Sequence, residues 1–268
     1  MRCTYLGWAG VTISGSGARL LIDPLLDPAA VFAAVGSAAD GVEYPAVADP
    51  AGDGLATGAL VTHLHRDHAD AGALRRGLLP GAPVFVPEAS LAGGQEDVGI
   101  AQAHAELTGA GLTVVEVSAW QRLDVGPFRV TSLPAADGSG DPQLSWAVEL
   151  DGARVIHCGD TMFHGWWWRM AAAAGPFDAA FLPINGARLN FPWHQPPSPL
   201  PAAMTPEQAA VAAHTLGAAA AVPIHYGGFD LDPYYASLPN ALEVFEAAAH
   251  DRRVTARPLD VGATLDLS

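Results

Sequence analysis

Cysteine is scarce in this sequence: Cys3 and Cys158 are the two present among 268 residues. Two cysteines are too few for a disulfide framework, and each lies in an apolar, strand-like context that favours a buried free thiol. The N-terminus also lacks a basic stretch followed by a long apolar one, and no uninterrupted apolar run approaches the roughly 18 residues that span a bilayer. We therefore expect a cytoplasmic protein that is neither exported nor inserted in a membrane.

Basic residues are also few, with 13 Lys and Arg against 28 Asp and Glu and a formal net charge of -15. A chain of this charge lacks the phosphate-neutralising surface of a nucleic-acid-binding protein. Half of the residues are apolar, which is enough for a sizeable core. We expect one domain over residues 1–268, built from similar halves at about 1–118 and 144–268, with a small-molecule substrate as its partner.

Two common catalytic signatures are missing, the G-x-S-x-G elbow and the Walker-type glycine loop. Their absence removes the commonest serine-hydrolase and nucleotide-hydrolase interpretations. The sequence instead contains Thr62-His63-Leu64-His65-Arg66-Asp67-His68, directly after the apolar run at 58–61. The chemistry of the chain must therefore be sought in this histidine cluster.

The cluster places three imidazoles and one carboxylate within six residues. These groups are ligands for one or two divalent metal ions. His63 and His65 are two residues apart and project to the same side of an extended segment, while Asp67 and His68 follow where the chain turns. The spacing predicts that one pair holds one metal and the other pair a second; a solvated loop of locally hydrogen-bonded histidines is the alternative.

The THLHRDH motif resembles the metal-binding signature of the metallo-β-lactamase fold superfamily. The resemblance implies a mixed α/β (α+β) fold, the four-layered αββα sandwich, over essentially the whole chain. It also implies two Zn²⁺ per chain, with Mn²⁺ or Fe²⁺ as alternatives. Asp160 resembles the carboxylate of the family's GD signature, which bridges the two metals, and His225 resembles its final histidine ligand. Asp23 is implied to hold a ligand histidine by its second nitrogen.

One position departs from the family pattern. The branch of metal-dependent hydrolases that resembles ascorbate-6-phosphate lactonase has a third histidine after a strand that ends in Pro-Ala, and Asp137 stands there in the segment 132–138. Two interpretations remain open. In the first, Asp137 ligates the first metal; the site with its hydroxide is then formally neutral, and its preference shifts toward manganese or iron. In the second, Asp137 only caps the loop, and the first metal has fewer protein ligands and binds weakly.

Helix signals are clearest at Thr205, which is followed by Pro206 at the first helical position, Gln208 at the capping-box position and Gly217 as a stop. Apolar runs separated by glycine-rich turns predict strands in both halves of the chain. Further helices are predicted over Ala29–Val35, Asp70–Leu79, Val98–Leu107 and Pro239–Ala249.

Two segments rich in aromatic residues or proline stand apart from this pattern. One contains the consecutive tryptophans Trp166–Trp168, which cannot all face one core, and the other is the stiff, apolar loop at 186–204. Together they predict an aromatic lid or wall over the metals, and they are equally compatible with subunit contact in a homo-oligomer. An apolar wall suits a small organic substrate better than a polyanion.

These features predict a metallo-hydrolase that uses a metal-bound hydroxide to cleave a small ester, lactone or amide. Asp67 has a catalytic as well as a ligand role in this hypothesis, and Tyr226 or His164 assists as a hydrogen-bond donor. An iron-dependent redox enzyme on the same fold and a degenerate member that binds ligand without turnover are the alternatives. The predicted metal ligands are His63, His65, Asp67, His68, Asp137, Asp160 and His225.

Overall fold

The structure, a computed structural model, describes residues 1–33, 42–89 and 95–268. Its first sheet has seven strands in the spatial order β16-β1-β2-β3-β4-β5-β6. The first three strands in the chain are antiparallel, the next three are added in parallel, and the last strand of the chain pairs with β1. The strands are β1 (Arg2–Gly7), β2 (Gly10–Gly15), β3 (Ala18–Ile22), β4 (Gly58–Leu60), β5 (Pro83–Pro87), β6 (Thr113–Val117) and β16 (Thr264–Asp266).

The second sheet is built in the same way, with an antiparallel meander followed by parallel strands, in the order β15-β13-β11-β10-β9-β8-β7. Its strands are β7 (Arg122–Val125), β8 (Phe128–Pro134), β9 (Leu144–Leu150), β10 (Ala153–His157), β11 (Ala179–Pro183), β13 (Ala220–Ile224) and β15 (Thr255–Ala256). A separate two-stranded sheet pairs β12 (Arg188–Leu189) with β14 (Tyr235–Ala236).

Six helices lie within the described residues: α1 (Pro28–Ala33), α2 (Ala71–Gly77), α3 (Gln95–Gly109), α4 (Trp167–Ala174), α5 (Pro206–Leu216) and α6 (Ala241–Asp251). None of them combines the length and the apolar character needed to cross a membrane. The end of the helix predicted over Ala29–Val35 falls outside the described residues. Helix α4 was not predicted, because the three consecutive tryptophans at its start, Trp166–Trp168, suggested a cavity wall instead.

The layers follow from alternation of side chains along the strands. In β3, Leu20 and Ile22 pack between the two sheets, whereas Leu21 faces the layer of α2 and α3. In β11, Phe181 faces the first sheet and Leu182 faces α4, α5 and α6. Successive side chains of a strand point to opposite faces, so a strand covered on both sides is apolar throughout. The predicted four-layered αββα sandwich is therefore confirmed.

Helix α5 begins where the capping box predicts. The hydroxyl of Thr205 accepts a hydrogen bond from the backbone N–H of Gln208 at 3.3 Å, and the Gln208 side chain accepts one from the Thr205 N–H at 3.0 Å. The helix ends at Gly217, which adopts a left-handed conformation. The helix packs closely on the second sheet because alanines form most of its buried face.

Replacing Thr205 with alanine removes one of these reciprocal bonds while leaving the metal-site candidates intact. We expect Thr205→Ala to lower the free energy of unfolding by about 1 kcal/mol. Urea denaturation measures this as a lower midpoint with an unchanged m-value. Thr205→Ser keeps the acceptor oxygen and should match the wild type. Equal destabilisation by serine and alanine would show that the cap does not contribute.

Candidate metal centre

The candidate ligands all come from loops that directly follow strands. The histidine cluster follows β4, Asp137 follows β8, Asp160 follows β10 and His225 follows β13. In sheets of this kind, loops at the carboxyl ends of neighbouring strands meet at one edge, which is where ligands bind. Residues that are far apart in the sequence therefore converge on one place.

The first group consists of His63, His65, Asp137 and Asp160, each of which offers one ligand atom within 4.8 Å of the others. His63 Nε2 lies 2.9 Å from His65 Nδ1 and 3.6 Å from Asp160 Oδ1. Asp137 Oδ1 lies 3.9 Å from His65 Nδ1. These atoms surround a space that suits one cation.

The second group consists of Asp67, His68 and His225. Asp67 Oδ2 lies 3.5 Å from His68 Nε2 and 3.4 Å from His225 Nε2. Asp160 also lies near this group, because its Oδ2 is 4.0 Å from His225 Nε2 while its Oδ1 faces the first group. Asp160 thus stands between the two groups, with one oxygen directed to each.

Two imidazole nitrogens in the second group fit a bound cation. The Nε2 atoms of His68 and His225 are buried and have no hydrogen-bond partner in the described part of the chain. The opposite nitrogen of each ring is engaged, because His68 Nδ1 donates to Asp23 at 2.7 Å and His225 Nδ1 contacts the Asn185 amide at 3.2 Å. Such contacts fix the ring and leave Nε2 for a metal. Asp23 thus contacts the second nitrogen of His68, a candidate ligand, which is the arrangement that the resemblance implies.

Comparison with known proteins decides the family. Residues 18–226 match the Beta-lactamase superfamily domain. The chain is a metal-dependent hydrolase of the metallo-β-lactamase superfamily. A UPF0173 metal-dependent hydrolase of Rubrobacter xylanophilus is 33% identical over 256 residues, which are 93% of this chain and 89% of that relative.

Solved structures share the fold of the hydrolase at low sequence identity. Igni18, a metallo hydrolase from Ignicoccus hospitalis, has a TM-score of 0.67 at 19% identity, covering 100% of this chain and 99% of that chain. CmlA, a diiron beta-hydroxylase from Streptomyces venezuelae, has a TM-score of 0.72 at 18% identity, covering 99% of this chain and 54% of that chain. At these identities the likeness concerns the fold alone.

The electrostatic field at the centre of the hydrolase is negative. Burial lowers the pKa of His65, but the carboxylates of Asp137 and Asp141 raise it to about 10. Burial likewise lowers the pKa of His68, whereas Asp67 and Asp23 raise it to about 9. A field that holds protons on the imidazoles of His65 and His68 also attracts divalent cations, which compete with those protons because metal ligands bind in the deprotonated form.

Asp137 combines features of both interpretations that the sequence left open. Its Oδ2 accepts hydrogen bonds from the backbone N–H groups of Ser139 at 2.6 Å and Asp141 at 3.0 Å, so this oxygen caps the loop. Its Oδ1 faces His65 in the first group. Burial raises the pKa of Asp137 to about 6, with Asp160 adding to the rise and His65 opposing it. Capping and ligation therefore use different oxygens and do not exclude each other.

Sequence reasoning missed three side chains that hold the candidate ligands in place. Asp141 Oδ2 lies 2.8 Å from His65 Nε2. The Gln143 amide donates to Asp160 Oδ1 at 2.8 Å, and the Trp8 indole N–H donates to Asp67 Oδ2 at 2.8 Å. Asp141 and Gln143 lie in the same polar loop as Asp137, and that loop is the signal by which they could have been found.

The backbone around these groups is unusually constrained. Trp8, Asp23 and His225 have φ angles of 52°, 42° and 56°, in a region that residues other than glycine rarely adopt. Gly159 has a φ of +60°, and a Cβ atom there would lie 2.7 Å from both Thr62 Oγ1 and Gln143 Nε2. The close approach of the loop after β10 to Thr62 and Gln143 thus requires glycine beside Asp160. Positive φ at such residues is typical of functional sites.

Tyr226 and His164, which were predicted as hydrogen-bond donors to substrate, are not brought to the centre. Tyr226 packs on the core between the second sheet and its helices, and burial together with Glu246 and Asp260 raises its pKa. His164 stacks on Trp167 at a centroid distance of 4.2 Å. Neither Tyr226 nor His164 lines the cavity beside the metal groups. The phenol that lines this cavity belongs to Tyr235.

The predicted aromatic wall is correct for one segment and wrong for the other. Trp167 is fully buried under the helices, whereas Trp166 and Trp168 are 41% and 63% exposed, and none of the three lines the cavity. Helix α4 explains this, because successive helical residues point in different directions. The wall instead includes Phe191 and Trp193 from the predicted loop.

Proposed function

We propose that this hydrolase binds two divalent metal ions and cleaves the ester, lactone or amide bond of a small organic molecule. The first group would hold one ion and the second group the other, and Asp160 would offer one oxygen to each. The observation that carries the proposal is the convergence of seven side chains into two groups, with two buried imidazole nitrogens that have no hydrogen-bond partner in the described residues.

Bound divalent ions supply the activation of a water molecule as nucleophile and the polarisation of the substrate oxygen. The side chains of the protein provide the geometry for this chemistry. Asp23 and Asn185 orient the rings of His68 and His225, and Gln143 orients the carboxylate of Asp160. No protein side chain is required to act as a nucleophile, which agrees with the missing serine-hydrolase elbow.

Tyr235 is the side chain we propose as a hydrogen-bond donor to the substrate, in place of Tyr226 or His164. It lines the cavity, and its hydroxyl lies 2.6 Å from the Asn185 amide. Burial raises its pKa well above the usual value, with Asp67 and Asp160 adding to the rise. The phenol therefore stays protonated and keeps its donor over the physiological pH range.

Zinc is the metal that we propose first, because four of the seven candidate ligands are imidazoles, which suit zinc. One feature makes manganese and iron the alternatives. The carboxylate of Asp137 at the position of the family's third histidine makes the first group richer in oxygen. An oxygen-rich site favours manganese and iron over zinc more than an all-nitrogen site does. Elemental analysis of protein purified without added metal distinguishes these ions.

The function is tested by stripping the protein with a chelator and reloading it with Zn²⁺, Mn²⁺ or Fe²⁺ separately, against a panel of esters, lactones and amides. We expect two ions per chain, loss of hydrolysis on chelation, and recovery with at least one of the three metals. Protein that binds two ions but hydrolyses no compound of the panel with any metal would favour a ligand-binding member of the fold.

A further inference from the structure

The cavity beside the metal groups has a marked imbalance of charge. Its volume is about 240 Å³, and its described lining contains the carboxylates of Asp67, Asp137, Asp141 and Asp160. The sequence contains no lysine, and Arg66 is the one arginine of that lining. The Arg66 guanidinium donates to Glu106 at 2.5 Å, so its charge is already paired. Apart from its histidines, the described lining thus offers no unpaired cationic side chain to a phosphate, sulfonate or carboxylate group of a substrate.

Two bound divalent ions do not reverse this imbalance. Asp23 lies beneath His68, so that it adds a fifth carboxylate to the four that line the cavity. Five carboxylates exceed the four positive charges of two divalent ions. In protein interfaces, two like charges placed next to each other are unfavourable by several kcal/mol. The same repulsion applies in a partly desolvated cavity. An anionic group placed away from the metals therefore meets net repulsion.

The remaining lining of the cavity is apolar and aromatic. Phe191 and Trp193 stack with ring centroids 4.9 Å apart and planes within 4° of parallel. Phe32 and Phe229 form a second stacked pair at 4.1 Å. Trp193 is 46% exposed, so a large part of its indole is available to a ligand. Aromatic faces of this kind favour aromatic or branched apolar groups through burial and offset stacking.

We propose that the cavity selects uncharged esters, lactones or amides that carry an aromatic or branched apolar group, and that it discriminates against anionic ones. This inference rests on the proposed function. In the reaction, the oxygen of water bonds to the carbonyl carbon and the bond to the alcohol or amine breaks. The leaving group takes up a proton, and the acid product ionises. The carboxylates that reject anionic substrates also favour release of this anionic product.

The test compares 4-methylphenyl acetate with its anionic analogue, 4-acetoxybenzenesulfonate, using zinc-loaded protein. The sulfonate is a weak metal ligand, and dividing each kcat/KM by the rate with free hydroxide corrects for the different leaving groups. We expect the neutral ester to be preferred by at least about tenfold. Equal or greater efficiency with the sulfonated ester would overturn the inference.

A binding measurement separates failure of this inference from failure of the proposed function. Calorimetry with 4-methylacetophenone and 4-acetylbenzenesulfonate, which are not hydrolysed, reports selection without turnover. Tighter binding of the neutral ketone in a protein that hydrolyses neither ester would uphold the selectivity and reject the proposed ester hydrolysis. Tighter or equal binding of the sulfonate, or no binding of either ketone, would reject the selectivity whatever the turnover.

Two variants and one control variant assign the selectivity to the cavity. Trp193→Ala should raise KM for the neutral ester by about tenfold with a smaller change in kcat, because stacking contributes mainly to binding. Trp168→Ala removes an exposed indole that does not line the cavity and should change neither constant. Leu189→Arg places a cation on the wall and should shift the preference toward the sulfonated ester. An unchanged preference in Leu189→Arg would contradict the electrostatic part of the inference.

Discussion

Asp160→Asn is expected to abolish hydrolysis and to reduce the metal content from two ions per chain to one or fewer. Asp160 is the carboxylate whose oxygens face both groups, at 3.6 Å from His63 Nε2 and 4.0 Å from His225 Nε2. Asparagine has nearly the same shape but no charge, and its amide nitrogen cannot serve as a ligand. Because metal ions supply several kcal/mol of transition-state stabilisation, turnover should fall at least about a thousandfold.

The measurement combines elemental analysis with kcat/KM on the best substrate of the panel. Asp124→Asn is a suitable control, since it removes one carboxylate from an exposed strand residue in β7. It should retain both ions and full activity. Two ions and wild-type turnover in Asp160→Asn would mean that the shared carboxylate has no role, and the dinuclear proposal would fail with it.

Local patterns predicted the parts of the centre that a single segment supplies. His63, His65, Asp67 and His68 are adjacent in the sequence, so their convergence needs only one strand and the turn after it. The capping box at Thr205 is local in the same sense, because the two bonding partners are three residues apart. Short-range geometry of this kind is encoded in spacing.

Long-range pairing accounts for what sequence reasoning missed. Trp8 reaches Asp67 because the turn between β1 and β2 lies against the metal groups. In the same turn, the Trp8 carbonyl accepts a hydrogen bond from the backbone N–H of His225 at 2.8 Å. No spacing within one segment reveals such a contact. Only the packing of the two sheets brings these loops together.

The error at Tyr226 has a simple geometric cause. Its proximity to His225 in the sequence suggested proximity in space, but both residues follow the end of β13, and the left-handed backbone of His225, with a φ of 56°, turns the chain between them. His225 faces the metal groups, and Tyr226 faces the helical layer of the second sheet. Tyr235 reaches the cavity through β14 and the loop before it, which sequence reasoning did not connect with the site.

Replacement of Asp141 is expected to weaken one metal site selectively. Asp141 is buried, and its Oδ2 lies 2.8 Å from His65 Nε2, so it holds the ring with Nδ1 turned to the first group. Residues that orient a metal-binding histidine typically contribute 10- to 100-fold in metal affinity. We expect Asp141→Ala to lower the affinity of one ion by about this factor, as measured by competition with a chromophoric chelator.

The design of this substitution isolates the contact with His65. The backbone N–H of Asp141 donates to Asp137 Oδ2 at 3.0 Å, and alanine keeps that bond. Asp141→Asn keeps an acceptor oxygen and should lose less affinity than alanine. Asp23→Asn provides the matched change on the other side, because Asp23 holds His68 in the second group. If each variant lowers the affinity for one ion and leaves the affinity for the other unchanged, the two groups act as separate sites joined through Asp160. An equal loss of affinity for both ions in each variant would instead indicate a single cooperative centre.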